Sequence, residues 1–372
     1  MMHPETEADL AEAIAGAGGP LRIVGGGTRG IGRPVAGEVL SLAGLAGITL
    51  YEPGALTLVA RAGTPLAEVE AALAAEGQRL PFEPMDHRAL LGTAGVPTIG
   101  GMVAVNASGP RRIQAGACRD SLIGVRFVDG RGDVIKNGGR VMKNVTGYDL
   151  VKLMAGSFGT IGVLSEVAFK VLPRPEMAAS LRMEGVDDEA AVRVLCAALG
   201  SPFEVSGAAH VPGGPGVMIR VEGFAASVSY RVAQLRALLA PYGDVVVETE
   251  PEAVNAGWKR VRDVEAFAGR PGDVWRISVK PTDGPRAAAA IGAREAMYDW
   301  GGGLIWALVP EGHDVRPALA GIGGHATLIR AGAETRAALP VFPPEPAPLA
   351  AISAGLRAQF DPRGILNPGL MG

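Results

Sequence analysis

The stretch LRIVGGGTRG, residues 21–30, is the part of this 372-residue chain that says most about its fold. Residues 21–24 are mostly apolar and predict a short strand, which runs directly into the loop GGGTRG, residues 25–30. The glycine spacing satisfies G-x-G-x-x-G. No helix pattern begins at the loop, however, and no acidic residue stands cleanly about 20 positions on, so the context of a Rossmann dinucleotide fold is missing. The loop is either a plain tight turn or a nest of backbone N–H groups for a phosphate, to which Thr28 would add a hydroxyl and Arg29 a charge.

Two further segments are dense in glycine: TIGGMVAVNASG, residues 98–109, and GSFGTIGV, residues 156–163. The first is small, apolar and almost uncharged, so a flat apolar ligand could approach its backbone closely. The alternative for it is a tightly packed buried helix that uses glycine for close contact. Three glycine-rich segments in one lobe predict a long ligand, with phosphates at one loop and a ring system at the others. FAD fits this description, whereas a mononucleotide would not need so much backbone.

Composition and charge exclude several classes of protein. Basic and acidic residues nearly balance, 35 against 38 with a net charge of −3, which argues against a nucleic-acid binder. Two cysteines without a C-x-x-C pair exclude zinc-ribbon, iron–sulfur and dithiol redox sites in this chain. The first residues do not read as a signal peptide, and lone thiols favour the cytoplasm. The apolar stretch 89–110 contains five glycines and Pro97, so we expect no membrane span there.

The element pattern predicts an α+β protein. Pro173 and Pro175 mark a boundary after which helices and strands alternate, and a proline-rich linker at 340–348 precedes a last helix at 349–360. The predicted domains are 1–175, 176–335 and 336–372. In the first domain the pattern predicts a helix capped by Thr6 with Asp9, a helix from Leu66, a hairpin of 123–129 with 134–136, and a strand over 163–171. In the second domain the predicted helices span 188–199, 227–239, 252–267 and 286–296, and the predicted strands span 217–221, 274–279 and 304–308.

Several segments resemble the FAD-binding subunit of bacterial glycolate oxidase, within the vanillyl-alcohol-oxidase-like, PCMH-type flavoprotein superfamily. The resemblance is dense over residues 20–175 and patchy beyond. It rests on residues 23–30, 62–66 (AGTPL), 100–111, 141–150 (VMKNVTGYDL), 155–171, 323–328 (GGHATL) and 360–369. It implies a PCMH-type FAD-binding domain of two α/β subdomains, followed by a smaller α+β lobe whose C-terminus returns to the flavin.

The same resemblance implies which residues contact the cofactor. The loop 25–30 would hold the pyrophosphate, and residues 98–101 and 106–109 would line the pyrophosphate and the flavin. Residues 159–163 would follow the adenosine and flavin side, and Asn367 would approach the flavin from the second lobe. The individual residues are Gly25, Gly26, Gly27, Thr28, Arg29, Gly30, Thr98, Ile99, Gly100, Gly101, Asn106, Ser108, Gly109, Gly159, Gly162, Val163 and Asn367. Some superfamily members attach the flavin through a histidine in the first loop; this loop has none, so we predict non-covalent FAD.

The resemblance also implies a function and partners. The chain would be a subunit of a multi-subunit glycolate oxidase that converts glycolate, a small 2-hydroxy acid, to glyoxylate. The implied partners are a larger catalytic FAD-linked subunit and an iron–sulfur subunit that passes electrons to a membrane quinone. The complex would then place this cytoplasmic chain at the inner membrane. Two alternatives remain: a stand-alone FAD-dependent 2-hydroxy-acid dehydrogenase, and a non-catalytic structural or electron-relay flavoprotein subunit.

Oxidation of a 2-hydroxy acid requires a base, a cation for the carboxylate and a hydride acceptor. Related catalytic flavoproteins carry closely spaced histidines in the second lobe. None of the five histidines here lies within two residues of another, which removes the usual base and any obvious metal site. His325, after two glycines, is either a flavin-facing base or a histidine that begins a strand.

Other single residues carry weaker signals. His87 is predicted in a surface loop. The pair Arg111 and Arg112 either binds a carboxylate or is a solvated pair or interface contact. Cys118, next to a basic residue, is either a thiol of lowered pKa or an inert, half-buried one. The four tryptophans are predicted in the core: Trp258, Trp275, Trp300 and Trp306.

Overall fold

A computed structural model describes residues 1–139 and 147–372 of the chain. Most of the motif at 141–150 lies outside the described residues. The chain divides into two units, each of which combines segments that are distant in sequence. Unit 1 consists of Met1–Ser108, Gly116–Arg174 and Pro344–Gly372, and unit 2 consists of Gly109–Ala115 and Pro175–Pro343.

The described helices and strands are numbered in chain order. The helices are α1 Glu7–Ala15, α2 Leu66–Ala75, α3 Arg88–Leu91, α4 Ile99–Ala104, α5 Arg112–Ala115, α6 Cys118–Ser121, α7 Leu150–Met154, α8 Asp188–Leu199, α9 Ala225–Leu239, α10 Pro251–Arg262, α11 Gly284–Ala290, α12 Ala333–Ala338 and α13 Ala347–Phe360. The strands are β1 Leu21–Val24, β2 Glu38–Ser41, β3 Ile48–Glu52, β4 Thr57–Arg61, β5 Gln78–Arg79, β6 Leu122–Val128, β7 Val134–Gly138, β8 Val163–Lys170, β9 Leu172–Pro173, β10 Met177–Met183, β11 Gly207–Val211, β12 Gly216–Gly223, β13 Val246–Glu248, β14 Asp273–Ser278, β15 Glu295–Asp299, β16 Leu304–Val309 and β17 His325–Arg330.

Unit 1 contains a small parallel sheet and a larger antiparallel one. Strand β1 pairs with β2 in parallel, and β3-β4-β8-β6-β7 form an antiparallel sheet of five strands. Helix α1 begins with the predicted capping box, in which Asp9 N donates to Thr6 Oγ1 (3.1 Å) and Thr6 N to Asp9 Oδ2 (3.0 Å). Its Leu10 and Ile14 are fully buried and pack into one core with Phe127 of β6. The apolar stripe of α1 therefore fixes the helix on the unit 1 core.

Unit 2 is built on one eight-stranded sheet in the order β13-β10-β12-β11-β15-β16-β14-β17, with antiparallel pairing throughout the described ladders. Helices α8 and α9 pack against β10, β11 and β12 through buried aliphatic residues such as Val194, Leu235 and Ile219. Helix α10 packs on the opposite face, where Trp258 Nε1 donates to Ser180 Oγ of β10 (3.1 Å), so β10 and β12 carry buried residues on both faces. The α+β prediction is confirmed.

The sequence pattern located several elements closely and misplaced others. The predicted helix 188–199 and the hairpin of β6 with β7 are confirmed. The predicted helix 286–296 is wrong: α11 ends at Ala290, Gly292 adopts a left-handed φ of 60°, and residues 295–299 form β15. The predicted helix 252–267 is too long, since α10 ends at Arg262, just before Val264 turns to φ 53°. Strand β11, with the sequence GAAHV, has a single β-branched residue, Val211, and two alanines and a glycine that do not identify a strand, so it was missed.

Candidate functional site

The first glycine loop lies against a second backbone segment in unit 1. A Cβ on Gly26 would stand 1.4 Å from the carbonyl oxygen of Val96, and one on Gly95 would stand 1.8 Å from the carbonyl oxygen of Gly26. A Cβ on Gly25 would lie 2.5 Å from Thr98 Oγ1. Backbone meets backbone here, so glycine is required for steric reasons. At Gly27, whose φ is +69°, the side-chain direction is open, as it is at Gly30.

Arg29 places a charge beside these loops. Its Nη1 lies 3.7 Å from the position that a Cβ on Gly101 would take, and its Nη2 donates to Met85 O at 3.4 Å. Within the described residues its buried Nε has no hydrogen-bond partner. Burial lowers the pKa of Arg29 to about 10, against the opposing charge of Asp86, so the guanidinium stays protonated at neutral pH. A buried guanidinium with an unused donor is suited to an anion.

The second glycine segment runs along the 62–66 motif. Gly100 N donates to Ala62 O (2.8 Å) and Ile99 N to Thr64 O (3.0 Å), while a Cβ on Gly100 would meet Ala62 Cβ at 2.6 Å. Thr98 caps the N-terminus of α4 and accepts a hydrogen bond from Gly101 N through Oγ1, at 3.3 Å. The side chain of Ile99 is fully buried in the core, so only its backbone faces the loops. The segment is therefore a buried helix, as one interpretation had it, and it also lies beside the first loop.

The polar residues after α4 are engaged with protein groups. Asn106, at a left-handed φ of 50°, accepts from Arg119 N through Oδ1 (3.1 Å), and its carbonyl accepts from Ser108 Oγ (3.2 Å). Ser108 Oγ in turn accepts from Cys118 N (2.9 Å). Gly109 belongs to unit 2, where its carbonyl accepts from the indole of Trp300. These bonds fix the turn that follows α4.

The third glycine segment is tied to the second and to β1. Phe158 N donates to Ala104 O (2.9 Å), at the end of α4. The side chain of Asn367 accepts from Ile23 N (2.8 Å) and donates to Phe158 O (2.9 Å), and a Cβ on Gly159 would lie 3.1 Å from its Nδ2. Asn367 thus joins the strand before the first loop to the third segment with both polar atoms of its side chain.

Two predicted cofactor residues have their side-chain directions filled by the core. A Cβ on Gly162 would meet the ring of Phe127 at 2.6 Å, and the Val163 side chain is 1% exposed in β8. Both can reach a ligand only through their backbone. The remaining residues of the three segments, apart from Gly109, adjoin within unit 1, where the side-chain direction is open at Gly27 and Gly30 and Arg29 supplies a charge. This arrangement fits a ligand with a phosphate and a flat ring, because it offers close backbone approach and a cation.

The structure corrects three further predictions about single residues. His87 is 6% exposed and precedes α3, so the surface-loop prediction is wrong. Cys118 is fully buried rather than half-buried, and burial raises the pKa of its thiol, which makes it inert. Arg111 is not solvated: in unit 2 it forms a two-fold hydrogen-bonded ion pair with Glu222, at 2.9 and 2.8 Å. His325 begins β17, as one of its two interpretations had it.

Nothing in the sequence indicated that the backbone of Val96 faces Gly26. The sequence pattern predicted Trp300 in the core but did not indicate that charged side chains lie over its ring. The guanidinium groups of Arg112 and Arg276 lie over the Trp300 ring. A lone arginine in the apolar strand VWRIS was the signal that could have drawn attention to Arg276.

Neither a metal-ion cluster nor a membrane-spanning helix is found among the described residues. No group of three or more histidine, cysteine, aspartate or glutamate side chains there could hold a metal ion. Among the described helices, none has both the length and the apolar character that crossing a bilayer demands.

Comparison with known proteins identifies relatives of the chain. A family model described as an FAD binding domain matches residues 1–138. The glycolate oxidase subunit GlcE of Escherichia coli K12 is 38% identical over 355 residues, which cover 95% of this chain and 92% of that protein. The glycolate oxidase subunit GlcD of Bacillus subtilis is 43% identical over 81 residues, 22% of this chain and 17% of that protein.

A solved structure supports the fold. Alkyldihydroxyacetonephosphate synthase superposes with a TM-score of 0.71 over 98% of this chain and 76% of that protein, at 16% identity. At this identity the likeness concerns the fold alone.

Proposed function

Because the chain belongs to the family of the glycolate oxidase subunit GlcE, we propose that it is the FAD-binding subunit of a multi-subunit glycolate oxidase and holds its FAD without a covalent bond. FAD binding and membership of an oxidoreductase family follow from the family itself. The observation that carries the proposal is the meeting of three glycine segments in unit 1, with the guanidinium of Arg29, whose Nε is unused, beside the first two. The first loop has no histidine that could form a covalent link.

The residues of unit 1 divide the work of holding the cofactor. Gly26 and Gly27 offer backbone N–H groups without side-chain obstruction, and Arg29 neutralises a phosphate. Thr98 fixes the start of α4, and Asn367 holds the end of β1 against the third segment. When bound, FAD supplies the two-electron acceptor for oxidation of the substrate.

The partners are proposed from the family and from the cysteine count. The 372 residues contain two cysteines, one fully buried and one partly buried, whereas an iron–sulfur cluster takes four thiolates. A separate iron–sulfur subunit and a catalytic GlcD-type subunit would then complete the path from glycolate to a membrane quinone. The complex would hold this chain at the inner membrane from its cytoplasmic side.

Co-purification with a matched pair of variants tests the proposal. The full chain is tagged in its own host, the bound subunits are identified, and flavin is counted by absorbance near ~450 nm, a property of the cofactor, before and after denaturation. We expect a GlcD-type and an iron–sulfur subunit, and FAD that leaves the denatured chain. Arg29→Gln should lower FAD occupancy about tenfold, as loss of one charge-assisted bond predicts, whereas Arg22→Gln, on the exposed part of β1, should not.

Three results would contradict the proposal. A chain that stays colourless with added FAD would support a structural subunit instead. Flavin that remains on the denatured polypeptide would exclude the non-covalent mode. Turnover of glycolate with a dye acceptor by the purified chain alone would identify a stand-alone dehydrogenase.

A further inference from the structure

A cleft of about 620 Å³ lies in unit 2, between helix α10 and the eight-stranded sheet. On the sheet side it is lined by apolar residues that include Met218 of β12 and Met297 of β15. On the helix side it is lined by Val254, Gly257 and Val261. A volume of this size is usual for small-molecule sites, which are mostly apolar and recognise their ligand through a few polar groups. The polar groups of the cleft therefore decide what it can bind.

Arg182 brings a positive charge to the cleft and lacks a partner. It lies in β10, directly opposite Met218. Its Nε is buried without a hydrogen-bond partner, and among the residues that the structure describes no carboxylate stands at ion-pair distance from it. Arg220, on the same face of the sheet, is satisfied: it lies over Trp258, and its Nε donates to Ser206 Oγ (3.2 Å). Buried polar atoms nearly always have a partner, so Arg182 calls for one that the described residues do not supply.

Ser180 adds a second donor, two residues before Arg182. Alternate residues of a strand share a face, and both of these line the cleft. Ser180 Oγ accepts from Trp258 Nε1 (3.1 Å), which leaves its hydroxyl hydrogen to donate, and the described part of the chain provides no acceptor for it. A hydroxyl and a guanidinium on neighbouring positions are suited to the two oxygens of a carboxylate.

Glu248 places a negative charge on the same side of the cleft. It lies in β13 directly opposite Ser180 and is therefore a diagonal neighbour of Arg182. Its Oε1 accepts from Glu250 N (2.9 Å), and no cationic side chain within residues 1–139 and 147–372 is at ion-pair distance from it. A cation and an anion thus line one cleft without pairing with each other. A ligand that carries both charges would complement both.

The other two charged residues of the cleft neutralise each other. Arg260 Nε lies 3.8 Å from Glu265 Oε2, and the two side chains are 70% and 59% exposed. Exposed ion pairs of this kind contribute little free energy. We therefore assign recognition of the ligand to Ser180, Arg182 and Glu248.

The apolar part of the cleft favours an aromatic ring. Met218 and Met297 are 3% and 1% exposed, and methionine sulfur makes favourable contacts with aromatic rings. Gly257 lies inside α10, where glycine is unfavourable, and a Cβ there would stand 3.3 Å from Met218 Cε. Glycine at this position therefore keeps the space beside Met218 open.

We propose that this cleft binds an aromatic α-amino acid. Arg182 and Ser180 hold its carboxylate, and Glu248 holds its ammonium group. The ring packs against Met218 and Met297. The inference goes beyond the proposed function and does not depend on it, because no residue of the glycine segments takes part.

Calorimetric titration of the full chain with L-phenylalanine tests the site. We expect saturable binding of one molecule per chain. Two analogues each lack one of the charges: 3-phenylpropanoate has no ammonium group, and 2-phenylethylamine has no carboxylate. Each should bind at least about tenfold more weakly than L-phenylalanine, since each loses one charge-assisted contact.

Variants assign each charge of the ligand to a residue. Arg182→Gln should weaken L-phenylalanine binding at least about tenfold and leave the affinity for 2-phenylethylamine unchanged. Glu248→Gln should likewise weaken L-phenylalanine binding but not that of 3-phenylpropanoate. Arg193→Gln, at an exposed position of α8 on the opposite face of the sheet, is the matched control and should keep the wild-type affinity. Gly257→Leu, which fills the cleft from the helix, should abolish binding and serves as a second test if Arg182→Gln does not fold.

The outcomes separate this inference from the proposed function, because FAD occupancy is measured on the same samples. A folded chain that carries FAD but does not bind L-phenylalanine overturns the amino-acid site alone. Unchanged affinity in folded Arg182→Gln or in folded Gly257→Leu overturns the placement of the ligand. If 3-phenylpropanoate binds as tightly as L-phenylalanine, the assignment to an amino acid is wrong. Loss of L-phenylalanine binding in Arg182→Gln at full FAD occupancy supports a site distinct from that of the cofactor.

Discussion

The two units form their polar sites in different ways. In unit 1 the glycine segments bring backbone to backbone, as at Gly26 and Val96, and one arginine supplies the charge. In unit 2 the feature of interest is a cluster of large side chains, two guanidinium groups on one indole. The first kind of site depends on the absence of side chains, and the second on their charge and planarity. A substitution should therefore act through sterics in unit 1 and through electrostatics in unit 2.

The largest effect is expected from Gly26→Ala in unit 1. The added Cβ would stand 1.4 Å from the carbonyl oxygen of Val96, so the two segments must separate. We expect FAD occupancy to fall below about a tenth of the wild-type value, because a shift of this size misplaces every donor in the loop. Flavin absorbance per chain measures it.

Gly54→Ala, with open space around the new Cβ, is the control and should keep full occupancy. Tryptophan fluorescence reports on unit 2 separately, since all four tryptophans lie there. Full FAD occupancy in Gly26→Ala would mean that backbone approach does not define the site.

Removal of a buried charge in unit 2 should lower the free energy of unfolding by about 3 kcal/mol. Glu222 is 5% exposed and pairs with Arg111 at 2.8 Å and with Arg220 at 3.6 Å. Glu222→Gln removes the negative charge that both ion pairs share, so the free energy of unfolding should fall by about 3 kcal/mol. Urea unfolding followed by tryptophan fluorescence measures this change, with Glu252→Gln on the exposed first turn of α10 as control. A loss below about 0.5 kcal/mol, the usual size for surface changes, would show that electrostatics do not hold unit 2 in the way described.

A smaller loss is expected for Asn367→Ala in unit 1. Asn367 is 4% exposed and has a φ of 44°, and the substitution removes the hydrogen bonds that its side chain makes with Ile23 N and Phe158 O. The free energy of unfolding of unit 1 should decrease by roughly 2 kcal/mol. Far-UV circular dichroism during urea unfolding checks it, and Asn255→Ala, on the exposed side of α10, should leave the curve unchanged. A stable variant with normal FAD content would remove Asn367 from the description of the site.

The smallest effect is a pH dependence in unit 1. The hydrogen bond from Arg126 lowers the pKa of Glu7 from 4.5, and Ser165 Oγ also donates to this carboxylate, at 2.6 Å. Because the folded pKa lies below the unfolded one, the ion pair stabilises the protein above about pH 4.5, and this contribution disappears as the pH falls through the folded pKa.

Melting temperatures between neutral and acidic pH measure this linkage. We expect Glu7→Gln to melt below the wild type at neutral pH and to approach it as the solution is acidified, whereas the exposed Glu5→Gln follows the wild-type curve. Parallel curves for wild type and Glu7→Gln would contradict the linkage.

The two units also differ in how far the sequence predicts them. The glycine segments, the capping box at Thr6 and the hairpin of β6 with β7 are local patterns, and sequence reasoning located all of them. Backbone sites require glycine at neighbouring positions, so their signal is contiguous in the chain.

The cluster on Trp300 could not be found in this way. Its members come from α5, β14 and the turn after β15. The register of β14 and β15 on β16 brings Arg276 near Trp300, and the bond from the indole to Gly109 O holds the segment of Arg112 beside it. The prediction of a surface loop for His87 was wrong because its charged neighbours are typical of exposed segments, whereas the folded chain buries this residue. The end of α11 was missed because a run of alanines continues a helix pattern up to Gly292, whose left-handed conformation is visible only in the structure.

The attachment of the C-terminal residues to β1 has a consequence for biosynthesis. Leu21 N donates to Ile365 O (2.7 Å), Asn367 N donates to Leu21 O (3.0 Å), and Arg33 N donates to Leu370 O (3.0 Å). A ribosome makes these partners only after the whole of unit 2 has emerged. Strand β1, which leads into the first loop, therefore lacks these hydrogen bonds for most of the synthesis of the chain and gains them only with its last residues.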